Sequence, residues 1–199
     1  MRDRGRPGGR RPSDGARPED TSEHTSPGGS GPPGDDPEAQ ARALCLRMLT
    51  HSPRTRAQLE RALHRREFPE EVVDAVLGAF GDAGLIDDAA FSRAWVSSRH
   101  HGRRLSRRAL AQELRTRGVE EDTVKEAVAE LSDQDEEEAA RDLARRRLAT
   151  TRGKDREVRI RRALGVLARK GYSSGLSYRI VREELEREGV EADLYDPDL

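Results

Sequence analysis

One junction occurs three times along this chain, about fifty residues apart, and it constrains the architecture more than any single helix does. The strings ALHRREFPEEVV, ELRTRGVEEDTV and VLARKGYSSGLS each place a leucine (Leu63, Leu114, Leu167) five residues before a second apolar residue (Phe68, Val119, Tyr172), with a polar helix start behind it. Gly118 and Gly171 stand where the residue just past a helix end takes a positive φ, which glycine adopts without the steric cost of a β-carbon. Glu67 holds that position in the first copy, so its turn is expected to be solved differently. A self-similar period of this length is the signature of a tandem array.

Between the junctions the apolar spacing is helical. Val124, Ala127, Val128 and Leu131 follow an i, i+3, i+4, i+7 pattern, as do Ile160, Ala163, Leu164 and Leu167. No useful run alternates with period two, so the predicted fold is all-α: three tandem three-helix repeats in an elongated, curved array. The first repeat spans 39–87, with helices near 40–50, 53–66 and 70–80. The second, 88–132, has helices near 88–100, 106–117 and 121–131. The third, 133–190, has them near 135–148, 155–170 and 174–187. Ser52-Pro53 reads as an N-cap followed by N1 proline, Pro69 as an N1 proline, and Asp133–Glu136 as a capping box. A unit this small has little core of its own, so the units are expected to stack.

Residues 1–38 differ in kind. They hold 8 of the 18 glycines and 7 of the 10 prolines, and only Met1 and Ala16 are apolar, so a disordered extension is expected. Residues 191–199 read as a C-terminal tail. No stretch has the roughly 20 apolar residues of a membrane span, and a single cysteine excludes an intramolecular disulfide. A soluble, cytoplasmic monomer with no membrane association is the expectation.

The formal net charge of −1 conceals an alternation. Residues 54–66 carry five arginines and one acid, whereas 67–98 carry one arginine and seven acids. Residues 99–117 have seven arginines and one acid, while 118–140 have one lysine and ten acids. Residues 141–170 have twelve basic residues against three acids, and 171–199 have three against eight. In every repeat the middle helix is basic and the last acidic. Helical geometry groups Arg54, Arg61 and Arg65, then Arg104, Arg108 and Arg115 if that helix starts early, then Arg159, Arg162 and Arg169 opposite Leu164 and Leu167. A single such stripe is ordinary solvated surface; three in succession point to a surface for phosphates or an acidic protein groove.

Catalytic chemistry finds no support. There is no phosphate loop, dinucleotide fingerprint or HExxH string. His51, His64, His100 and His101 read as surface or helix-end residues, and Cys45 as buried packing. Trp95, with Phe91 on the same face, reads as a core anchor. No catalytic residue, metal or cofactor is expected.

The central segment, 84–128, resembles the RecX family of recombination regulators. The residues that carry the resemblance are Gly84-Leu85-Ile86-Asp87-Asp88, Phe91, Trp95, Arg99, Gly102, the Leu110/Leu114 pair and Gly118-Val119. The three tandem three-helix repeats over 39–187 fit the same family, the middle one best, and the N-terminal extension lies outside its pattern. The resemblance implies a non-enzymatic regulator of homologous recombination and DNA repair in the SOS response. It would bind the RecA recombinase filament, with the single-stranded DNA inside it, and inhibit ATPase and strand exchange. Candidate contacts to filament or DNA are Arg99, Arg103, Arg104, Arg107, Arg108, Arg115, Arg141, Arg145, Arg159 and Arg162. The competing reading is a helix-turn-helix-like protein that binds duplex DNA directly. Against it, no unit has a recognition helix rich in Asn, Gln and Ser, and an acidic helix flanks each basic one.

Overall fold

The computed structural model describes residues 36–189, and among these every regular element is an α-helix. The first unit comprises α1 (Pro37–His51), α2 (Arg56–His64) and α3 (Glu70–Asp82). The second comprises α4 (Asp88–Arg103), α5 (Arg107–Thr116) and α6 (Glu121–Ala129). The third comprises α7 (Asp133–Ala149), α8 (Arg156–Arg169) and α9 (Ser174–Arg187). The expectations for residues 1–35 and 190–199 lie outside the described residues.

Helix starts follow local capping chemistry, in places one to three residues from where the sequence suggested. The Asp36 side chain accepts from the Glu38 amide and Pro37 occupies the first turn, so α1 begins inside the stretch assigned to the extension. Ser52 closes α1 instead of opening α2. The second helix starts at Thr55, which forms a reciprocal capping box with Gln58, at 3.2 Å in each direction. Pro69 precedes α3 as its cap residue, and Glu70 and Glu71 supply the acidic first turn. Ser132, one residue before the expected box, caps α7 by accepting from the Asp135 amide.

Each unit has its own apolar cluster. Leu63, Leu114 and Leu167, the leucines of the repeated junction, are fully buried in three separate cores. Cys45 is buried among apolar neighbours in the first. The units are expected to stack, and hydrogen bonds at the joints between them run to backbone carbonyls. Two side chains also sit deeper than expected. His100 is buried at the end of α4, its Nδ1 3.0 Å from the Leu105 carbonyl. Arg159 is buried on α8, paired with Glu188 and near the Leu148 carbonyl, and so does not share an outer face with Arg162 and Arg169.

The turn after α2 is made as the other two are. Glu67 has φ 59°, matching Gly118 at 81° and Gly171 at 87°. A non-glycine residue pays roughly 1–2 kcal/mol for that conformation. What differs is the surroundings, and that difference belongs to the joints.

Candidate interface along the middle helices

The two joints use the same positions. At the first, Thr55 Oγ1 and Arg61 donate to the Arg117 carbonyl at 2.8 and 2.9 Å. A β-carbon on Gly118 would lie 2.4 Å from that of Ala57. At the second, the Ser106 amide donates to the Lys170 carbonyl at 3.0 Å, and a β-carbon on Gly171 would lie 2.7 Å from Ser106 Oγ and 2.8 Å from Ala109 Cβ. In each case the N-terminus of one middle helix rests on the C-terminal turn of the next unit's middle helix. The opposed partial charges of the two helix ends favour this arrangement. The first amide of the middle helix also finds a carboxylate in the next unit's leading helix, Arg56 on Asp88 and Arg107 on Glu136, both at 2.9 Å.

Thus α2, α5 and α8 follow one another end to end. Their 9, 10 and 14 residues supply about 50 Å of helical rise. Aligned at Leu63, Leu114 and Leu167, the three helices share an i, i+4, i+8 column. It reads Ala57, Arg61 and Arg65 on α2, Arg108, Gln112 and Thr116 on α5, and Arg161, Gly165 and Arg169 on α8. The column has five arginines and no acid. All five are exposed, and among the described residues none forms an ion pair. Uncharged residues between them leave room for a phosphate backbone to approach closely.

Most of the arginines singled out from sequence are engaged elsewhere. Arg107 pairs with Glu136 at 2.7 Å and with Asp133, and Arg104 pairs with Asp142 at 3.2 Å, so both tie the second unit to the third. Arg104 is not on α5 at all; it closes α4 with φ 53°, and its carbonyl accepts from the Tyr172 hydroxyl at 3.0 Å. Its expected alignment with Arg108 and Arg115 is therefore corrected. Arg115 forks onto Glu121, with both bonds at 2.7 Å.

In the third unit Arg141 contacts Glu137, Glu183 and Glu184, and Arg145 contacts Glu184. Burial alone would raise the Glu184 carboxyl; the guanidiniums of Arg145 and Arg141 outweigh it and hold the group below its ordinary range. Arg159 is internal, as described. Arg103, Arg108 and Arg162 are exposed and make no ion pair among the described residues.

Arg99 belongs to a different cluster. Its guanidinium lies 4.1 Å from the Trp95 ring centroid and that of Arg117 lies 3.6 Å from it. The Phe91 ring also stacks on the same indole, with centroids 5.7 Å apart and 17° between the planes. Trp95 Nε1 donates to Glu113 at 2.7 Å. Trp95 does pack against the core of its unit, but it is only half-buried, and its two cation–π contacts have no signal in the sequence. Arg61, Arg65, Arg161 and Arg169 were not grouped with Arg108 either; aligning the three junctions column by column is the signal that brings them out.

A further cluster, Glu60, His64 and Glu70, brings three ligand-type atoms within 4.8 Å of one another at the α2–α3 turn. His64 already faces Glu70 at 3.7 Å, and both are exposed. No helix among the described residues is long and apolar enough to cross a membrane.

Residues 41–78, 87–128 and 134–181 match the family models for the first, second and third three-helix domains of RecX. The Regulatory protein RecX of Thermobifida fusca is 64% identical over 172 residues, covering 86% of this chain and 92% of the relative. That of Streptomyces coelicolor is 57% identical over 163 residues, covering 82% and 87%. The crystal structure of RecX from Lactobacillus salivarius superposes with a TM-score of 0.68 at 18% identity, over 74% of this chain and 96% of that one. A second RecX crystal structure gives 0.65 at 25% identity, over 74% and 72%. Three matched domains in order, and identity above half across most of two relatives, show that this chain belongs to the RecX family.

Proposed function

We propose that this protein is a non-enzymatic, cytoplasmic regulator that binds the RecA–DNA filament as a monomer and slows its ATP hydrolysis and strand exchange. Membership of a family of regulatory proteins gives the class. The observation that carries the binding mode is the acid-free arginine column on α2, α5 and α8, repeated on three helices joined end to end. Such a series presents phosphate-seeking charge along a line, as contact with a single strand inside a filament demands. Arg103 and Arg162 are further exposed arginines without an ion pair among the described residues. The acidic residues not used at the joints, Glu120, Glu126 and Glu130 among them, remain exposed for basic protein surface. Complementarity of this kind sets registration and encounter rate more than raw affinity.

The decisive experiment is the single-strand-dependent ATPase of the cognate recombinase at low molar ratios of this protein. Slower hydrolysis and shortened or stalled filaments are expected; an unchanged rate and filament lifetime would remove the assignment. A gel shift on duplex DNA alone, across salt, tests the helix-turn-helix alternative, which requires sequence-specific binding without the recombinase.

A further inference from the structure

A groove of about 680 Å³ opens where the first two units meet, on the side of Trp95. Its apolar lining includes Leu49, Leu85, Phe91 and Trp95. Leu85, in the loop between α3 and α4, is 49% exposed, one of two large apolar side chains so exposed among the described residues. Three arginines line the same groove: Arg54, Arg99 and Arg117. The only acid lining it is Asp87, whose carboxylate is already accepting from the Ala90 amide as the α4 cap. Arg54 Nε is buried with no hydrogen-bond partner.

An apolar lining with an excess of guanidinium suits a ligand that carries a hydrophobic side chain between carboxylates. We propose that this groove docks an acidic peptide segment of a partner protein, one apolar side chain seating against Leu85 and Leu49 and flanking carboxylates meeting Arg54 and Arg117. A nucleic-acid strand fits less well. Two guanidiniums and the Phe91 ring already pack against Trp95, so the indole is a poor stacking platform for a base. The apolar lining likewise matches a leucine better than a polar base edge. The two classes of contact are thus separated in the molecule: phosphate on the arginine column, peptide in the groove.

The test needs no recombinase, so its outcome is independent of the function proposed above. Trp95 is the only tryptophan and serves as a built-in reporter. A fluorescein-labelled synthetic peptide with leucines spaced among aspartates and glutamates is titrated against the full chain, following anisotropy and Trp95 emission. Saturable binding with a shift in Trp95 emission is expected, with affinity about tenfold lower when the leucines are replaced by serine, the weight of one buried leucine. Leu85→Glu and, separately, Arg54→Glu are each expected to weaken binding by at least about tenfold. Circular dichroism checks that each variant is folded, and Leu85→Ser replaces Leu85→Glu if helicity falls. Equal binding of the serine peptide, or an unchanged affinity in the folded Leu85 variant, overturns the proposal. So does a Leu85-dependent Trp95 shift produced by oligothymidine in place of the peptide.

Discussion

Gly118 faces Ala57 across the joint between the first two units so closely that any β-carbon on the glycine would stand 2.4 Å from that of the alanine. The same intrusion recurs at Gly171, against Ser106 and Ala109. Glycine is needed at these turns for two reasons at once, a positive φ and the approach of a neighbouring helix. Among the described residues no helix N-terminus packs on the turn at Glu67, whose side chain is exposed, so the same φ carries only its conformational cost there.

This separates two contributions that a single substitution usually mixes. Gly118→Ala adds both the left-handed strain, roughly 1–2 kcal/mol, and a clash that only movement of α2 relieves. Urea denaturation is expected to show a loss larger than that strain alone, with small-angle scattering reporting a changed spacing of the units. Glu67→Gly relieves the strain and meets no neighbour, so it is expected to be neutral or stabilising by up to about 1 kcal/mol. A stabilising Gly118→Ala would contradict the joint described here.

The arginine column predicts a division between binding and folding. Charge reversal at Arg108, Arg161 and Arg169 removes exposed cations with no ion-pair partner among the described residues. The melting temperature is expected to hold. Binding to single-stranded DNA and to the filament is expected to weaken, the salt dependence losing about one unit of slope per phosphate contact removed. Arg141→Met is the contrasting case, because it strips one of three guanidinium partners from Glu184, which is buried. It is expected to cost about 1–3 kcal/mol of stability while leaving the salt slope intact. Titrations at several salt concentrations, with melts of the same variants, check both halves.

The repeat count, the nine helices among the described residues and the burial of Leu63, Leu114 and Leu167 were legible because periodicity and turn glycines are local signals. The polar nature of the joints was not. Ser52, not Thr55, reads as the cap of the second helix, and nothing local reveals that Thr55 and Ser106 meet the turn after the next unit's middle helix. Nor does composition tell an arginine committed to a carboxylate from a free one. Arg107 and Arg108 are adjacent in sequence; one faces Glu136 and Asp133 and the other faces solvent, because consecutive side chains on a helix point about 100° apart.

Arg104 permits a test of whether a residue at the second joint also touches the filament. It adopts φ 53°, which favours glycine, and its Asp142 pair is about one-third exposed and so worth little. The contact made by its carbonyl to Tyr172 does not need its side chain. Arg104→Gly is therefore expected to leave stability within about 1 kcal/mol of the parent. A fall in ATPase inhibition without a fall in melting temperature would assign its guanidinium to the partner surface. Unchanged inhibition would confine Arg104 to the joint.

Acid is expected to loosen the third unit. Glu184 and Glu137 join α7 to α9 through Arg141, Arg145 and Arg179. The carboxyl of Glu137 is held below its ordinary range by hydrogen bonds from Arg179 and Arg141, and that of Glu184 by Arg145 and Arg141 against its burial. A carboxylate whose folded pKa is depressed stabilises the fold fully above its unfolded value, about 4.3 for glutamate. That contribution is lost as pH falls through the folded value. The melting temperature is expected to be flat from neutrality to about pH 5 and to drop below about pH 4. Glu184→Gln removes one of the two groups, so its melting temperature should begin lower at neutral pH and fall less on acidification. If parent and variant lose the same number of degrees between neutrality and acid, these carboxylates do not carry the third unit's acid response.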